Sequence, residues 1–186
     1  MAQYGRTTVG AEWFGCEARY VCRKITLAST ETALKISAYL RSQGSATNGL
    51  KAFLYNFADN SFAYQSSELS GFTDTTGAWR DFTFTSSVTA GDYWLGVIGD
   101  GIPGGANTVE IAMDTVAADT ANYQWYSFSG TWPTLSADLD GESAGGFQFA
   151  TNNTSIYLET SSGGGSTINA ATIIPQLNRR KTGRFF

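Results

Sequence analysis

The sequence predicts an all-β protein, an antiparallel β-sandwich, and three observations carry the prediction. Short segments in which apolar and polar residues alternate recur along the chain, separated by turns containing Gly, Asn and Asp. Aromatic residues make up 14% of the 186 residues and glycine is abundant at 21, a mixture that suits pleated sheets and tight turns better than helical bundles. One segment, Gly91–Gly99 (GDYWLGVIG), is apolar on both faces. A strand of that kind is paired along both edges and covered on both sides.

In Gly91–Gly99 the period of two puts Tyr93, Leu95 and Val97 on one face and Trp94, Gly96 and Ile98 on the other. This strand is the expected centre of the fold. Residues 1–19 mix Gly, Thr and single aromatics without a clear period and read as an N-terminal arm or a short first strand. Tyr20–Ala28 is a strand. Glu31–Arg41 alternates, with Leu34, Ile36, Ala38 and Leu40 facing the core and Lys35, Ser37, Tyr39 and Arg41 facing out. A helix would set Leu34 and Ile36 about 200° apart, so the strand reading is preferred. Tyr39, on that polar side, reads as an ordinary surface residue.

Ser42–Asn48 is a polar loop. Leu50–Ala58 sets Leu50, Ala52 and Leu54 against Phe53, Tyr55 and Phe57, and Asp59-Asn60-Ser61 turns the chain into a shorter strand, Ala63–Leu69. Trp79–Thr85 alternates Trp79, Asp81 and Thr83 with Arg80, Phe82 and Phe84. Gly99–Asn107 reads as a long loop, and Thr108–Val116 as a strand with Val109, Ile111 and Met113 inside. Tyr123–Phe128 is a short strand and Gly130–Gly146 an irregular connection. Phe147–Ala150 and Ser155–Glu159 are expected to form a last hairpin around Thr151–Thr154. About ten strands at regular spacing, with no convincing helix, make a sandwich, and a jelly roll is the preferred topology.

Ser161–Gly165 (SSGGG) closes the domain of residues 20–160 and reads as a flexible linker. Residues 166–186 follow as a C-terminal tail. It holds four basic residues, Arg179, Arg180, Lys181 and Arg184, and no acid. Charge is unevenly placed. Residues 1–51 carry seven basic and three acidic residues, while residues 52–165 carry Arg80 alone against thirteen acids. Such an acidic body disfavours nucleic-acid binding. No apolar stretch is long enough to span a membrane. The opening MAQYGRTTVG has no basic segment followed by an apolar run, so it does not read as a secretory signal.

The chain has no histidine, which excludes Ser–His and Cys–His nucleophiles. Cys16 and Cys22 are either two free thiols or a local disulfide closing a short loop, and cannot complete an ordinary zinc site. Asp138, Asp140 and Glu142 (DLDGE) stand close enough to act as an acid/base pair or to hold calcium, but they fit an acidic surface loop better and miss the length of a calcium loop. No catalytic residue, metal or cofactor is expected.

Several segments come in a recognisable order: YGRTTVGA, YVCRKITL, TALKISAYL, LKAFLYN, the W…DFTF strand, SVTAGDYWLGVIGDG and a terminal SIYLET. Together, over roughly residues 4–160, they resemble β-sandwich domains of bacteriophage virion proteins and some bacterial surface proteins. Such domains are similar in turn to carbohydrate-binding jelly rolls. The resemblance implies a head-decoration, tail or fibre component, assembled in the host cytoplasm and carried on the virion. The tail after residue 165 lies outside the shared pattern.

Two functional expectations follow. The first is a non-enzymatic virion structural protein that docks on other virion proteins, such as the major capsid or tail protein. Its tail would supply Ile173, Ile174, Leu177, Phe185 and Phe186 for burial, and Arg179, Arg180, Lys181 and Arg184 for charge. The alternative is a carbohydrate-binding module for adhesion to a host-surface glycan, with Trp125, Tyr126 and Trp132 as stacking rings. The same three aromatics would otherwise cap the open end of the sandwich core. Further copies of the chain are compatible with either role.

Overall fold

A computed structural model describes residues 1–43, 49–100, 108–115, 123–127, 132, 134–139, 144–145 and 152–161. These residues form strands and no helix. The strands are β1 (Ala2–Gly5), β2 (Glu12–Gly15), β3 (Arg19–Leu27), β4 (Glu31–Gln43), β5 (Leu50–Asn56), β6 (Phe62–Gln65), β7 (Ala78–Val88), β8 (Gly91–Gly99), β9 (Thr108–Thr115), β10 (Tyr123–Ser127), β11 (Ala144–Gly145), β12 (Asn152–Thr154) and β13 (Ile156–Thr160). They make two antiparallel sheets.

Sheet A contains the path β2–β9–β4–β7, and sheet B the order β3–β8–β5–β6. From β2 to β9 the chain crosses between the sheets at nearly every step, with only β5 and β6 consecutive in one sheet. Two Greek keys wrapped in this way are a jelly roll. Beyond this frame, β10 and β11 widen sheet B past β3. In sheet A, β13 lies against the first half of β4 with β1 outside it, and β12 pairs with the end of β9. Residues 1–19 therefore hold two sandwich strands. The turn expected at 151–154 is instead strand β12 over 152–154. Polar composition suggested a turn, but pairing with Met113–Thr115 overrides that local preference.

The space between the sheets is filled by alternate residues of the strands. Val21 and Ile25 of β3, Leu50, Ala52 and Leu54 of β5, and Tyr93, Leu95 and Val97 of β8 meet Ile36, Ala38 and Leu40 of β4, Phe82 of β7, Val109 and Ile111 of β9, and Ile156 and Leu158 of β13. Leu34 is the exception. A bulge between Ala33 and Lys35 shifts the phase of β4, so Ala33 is buried in the core and Leu34 only partly.

The second face of β8 is also covered. Trp94 and Ile98 join Tyr20, Cys22, Phe53 and Tyr55 in an outer cluster closed by Leu135 and Leu139. The covering segment is tied down by the polar tips of buried tyrosines. Tyr20 Oη accepts from Ser136 N at 2.9 Å, and Tyr55 Oη donates to the Ser136 carbonyl at 2.7 Å. The backbone of the same segment bonds Asn60 and Phe62 at the β5–β6 turn. Cys16 and Cys22 are buried thiols not joined in a disulfide, one in each cluster, on opposite faces of sheet B.

Candidate functional site

The outer face of sheet A is built differently. Register aligns one aromatic from each of four strands. Trp79 of β7 stands opposite Tyr39 of β4; Tyr157 of β13 stands opposite Ser37; Trp13 of β2 stands opposite Ala112 of β9. Side chains paired in this way share a face. The rings form a continuous strip: Trp13–Tyr39 centroids are 5.9 Å apart, Tyr39–Trp79 5.5 Å and Trp79–Tyr157 5.2 Å. All four side chains remain partly exposed. The two buried apolar clusters of the described residues lie elsewhere, between the sheets and over sheet B.

Local structure holds the strip in place. Gly77 sits at φ +81°, where a side chain is strained, and a Cβ there would stand 2.8 Å from the Trp13 ring and 3.0 Å from Tyr39. Only glycine lets the β6–β7 connection pass so close. At the other side β4 changes partner from β13 to β9. Buried Ser155 fills the junction: its N–H donates to the Ala112 carbonyl, its carbonyl accepts from Tyr39 N, and its Oγ accepts from Gly10 N at 2.9 Å.

Charged side chains flank the rings and pair with each other. Arg41 lies over the Trp13 ring, its guanidinium 4.2 Å from the centroid, and its Nε donates to Glu110 at 2.7 Å. Gln43 donates to the other Glu110 oxygen at 2.7 Å. Lys35 bonds Asp81 at 2.8 Å, Ser37 bonds its second oxygen at 2.6 Å, and Gln3 reaches Glu159 at 3.2 Å. Burial works against charge on Asp81, but the hydrogen bonds from Lys35 and Ser37 outweigh it and hold the carboxyl below its ordinary range. The Asp81 hydrogen bond, in turn, raises the Lys35 ammonium. The face thus offers partly exposed rings beside fixed, mutually neutralised donors and acceptors.

The residues expected from the sequence to bind sugar do not lie on this face. Trp132 packs partly buried against the outer cluster of sheet B, with the Lys51 ammonium 5.7 Å from its ring centroid. Trp125 and Tyr126 are on β10, where only the backbone is described; it pairs them with Val21 and Tyr20, at positions on opposite faces of sheet B. Asp138 is exposed and bridges to Ser61, while Asp140 and Glu142 lie outside the described residues. The docking residues Ile173, Ile174, Leu177, Arg179, Arg180, Lys181, Arg184, Phe185 and Phe186, like linker residues 162–165, also lie outside them.

Trp13, Tyr39, Trp79 and Tyr157 were missed as a group. Each is the one aromatic on its own face of its strand, and only long-range register joins them. No protein family, curated protein or solved structure matches the chain.

Proposed function

We propose that the chain is a non-enzymatic structural protein of a bacteriophage virion, attached through its C-terminal segment and displaying the jelly roll. The carrying observation is the separation of the chain's exit from the Trp13–Tyr39 end of the aromatic strip, Tyr157 at the strip's other end standing four residues before Ser161 on β13. Strand β1 pairs with β13, and Ser161 N donates to the Thr32 carbonyl, so both ends of the sandwich meet at the start of β4. Tyr39 and Arg41 lie toward its other end, seven or more residues along, which at ~3.3 Å per residue is roughly 20 Å or more. A particle holding residues 166–186 at this end would leave Tyr39 and Arg41, at the far end of β4, clear of the attachment. The resemblance over residues 4–160 supports the same role.

The tail's basic residues suit an acidic docking surface, and its Ile, Leu and Phe side chains would each contribute about 1.5–3 kcal/mol if fully covered. Ordering the segment costs about 1–2 kcal/mol per residue, so attachment by many copies is favoured over one tight contact. The chain should co-purify with virions banded in a density gradient. A chain ending at Gly165 should melt as the full chain does and fail to attach. Full occupancy by the shortened chain would place attachment elsewhere, and absence of the chain from banded particles would end the virion reading.

A second reading, a carbohydrate-binding module for adhesion to a host surface, is favoured by the strip on sheet A. It draws nothing from Trp132.

A further inference from the structure

We propose that the outer face of sheet A binds a neutral polysaccharide, with Trp79 and Tyr157 as the stacking rings and the Lys35–Asp81 and Arg41–Glu110 pairs as hydroxyl partners. The inference rests on reading that face as the displayed one, and adds the ligand's chemistry. Sugars present C–H bonds to an aromatic face, whose quadrupole is negative, while their hydroxyls need fixed donors and acceptors around the ring. The strip supplies both. Trp79 and Tyr157 meet edge to face, with centroids 5.2 Å apart and planes inclined at 60°, so they offer a sugar chain two inclined faces rather than one flat platform. Arg41 already covers Trp13, so stacking falls to the Trp79–Tyr157 end, where Lys35, Ser37 and Asp81 are adjacent in the register.

Charge decides the class of ligand. Lys35 and Arg41 are each paired with an acid on this face, and Glu159 accepts from Gln3. An anionic polymer would have to displace those acids, and it would meet a body whose residues 52–165 carry one base against thirteen acids. A nucleic acid is disfavoured on the same ground. A neutral polyol can use each paired charge as it stands. The ion pairs fix the geometry of their donors and acceptors before the ligand arrives, which reduces the ordering cost of binding.

Affinity gel electrophoresis of the full chain tests this, using dextran, a soluble β-glucan, galactomannan and arabinoxylan as neutral probes and alginate and heparin as anionic ones. At least one neutral polymer should retard the chain, and about 1 M salt, which shortens screening to about 3 Å, should leave the retardation in place. Trp79→Ala and Tyr157→Ala should each weaken it by about tenfold or more. Trp79→Phe, which keeps a ring and spares the packing, should lose only part of it; it carries the test if Trp79→Ala melts early. Retardation by no neutral polymer, by the anionic ones alone, or undiminished in both alanine variants would overturn the proposal. If the chain still bands with virions in that case, the ligand assignment fails and display stands. If it binds a neutral polymer but is absent from virions, the display reading fails.

Discussion

Gly96 is the position where the packing of the central strand is most sharply testable. It lies in the middle of β8, paired with Cys22 of β3 on one edge and Phe53 of β5 on the other. A Cβ at Gly96 would press into the Phe53 ring and the Val21 carbonyl, and would stand 2.8 Å from Cys22 Cβ. Carbon atoms in good contact sit at ~3.5–4.0 Å. The ring of Phe53 could rotate only into Tyr20 and Tyr55, whose centroids lie 5.4 Å from its own. The Val21 carbonyl belongs to paired backbone and cannot yield without parting β3 from β8. Overpacking of this kind costs about 1–3 kcal/mol. Removing a glycine from the unfolded chain returns about 0.4–1 kcal/mol. Gly96→Ala should therefore destabilise by about 1–2 kcal/mol. For a chain of this size the melting temperature should fall by about 2–8 °C, read by near-ultraviolet circular dichroism and confirmed by a lower urea midpoint at unchanged slope. An unchanged or raised melting temperature would refute the placement of Phe53 and Val21 around Gly96.

Three further outcomes are expected. Leu95, buried between the sheets, should cost about 2–5 kcal/mol on replacement by Ala, and a loss under about 1 kcal/mol in urea titration would misplace the strand. Glu17 is buried and accepts from Val109 N. Burial raises its carboxyl, with Glu110 adding to the rise and Arg19 and backbone hydrogen bonds opposing it. Its contribution is full when protonated and is lost as pH rises through the raised value. Glu17→Gln should flatten that decline while matching or exceeding the parent at neutral pH, whereas Glu17→Ala, which strands a buried N–H, should cost about 1–3 kcal/mol. Asp92 and Asp114 behave oppositely. Lys24 and Thr26 hold Asp92 below its ordinary range, and Ala11 N–H and Arg6 do so for Asp114. Their stabilisation is present above about pH 4 and is lost as pH falls through the lower folded values. Asp114→Asn should therefore blunt acid unfolding below about pH 4, and an unchanged acid limb would contradict the pairing.

What could be read from the sequence was whatever a single strand carries by itself. The two apolar faces of Gly91–Gly99 foretold both the inter-sheet core and the outer cover, because Leu95 and Trp94 each need a hydrophobic layer whichever strands supply it. The phase slip at Ala33–Lys35 was hidden, since a bulge leaves no mark in alternation until the partner strand is known. Asn152–Thr154 read as a turn for the same reason: its pairing to β9 is long-range. The aromatic strip was hidden most completely. Tyr39 looked like an isolated surface ring, and its neighbours Trp13, Trp79 and Tyr157 come from strands far apart in the chain. Trp125, Tyr126 and Trp132, close together in sequence, made the more visible group.

The most direct test of the display geometry is hydroxyl-radical footprinting of Trp79 and Tyr157 on the free chain and on chains attached to virions. Buried Trp94 serves as the internal control. If residues 166–186 hold the chain and the outer face of sheet A points away from the particle, both side chains should be modified at the same rate in the two states. Strong protection of Trp79 and Tyr157 on the virion would mean that the strip itself is the attachment surface, and would contradict display.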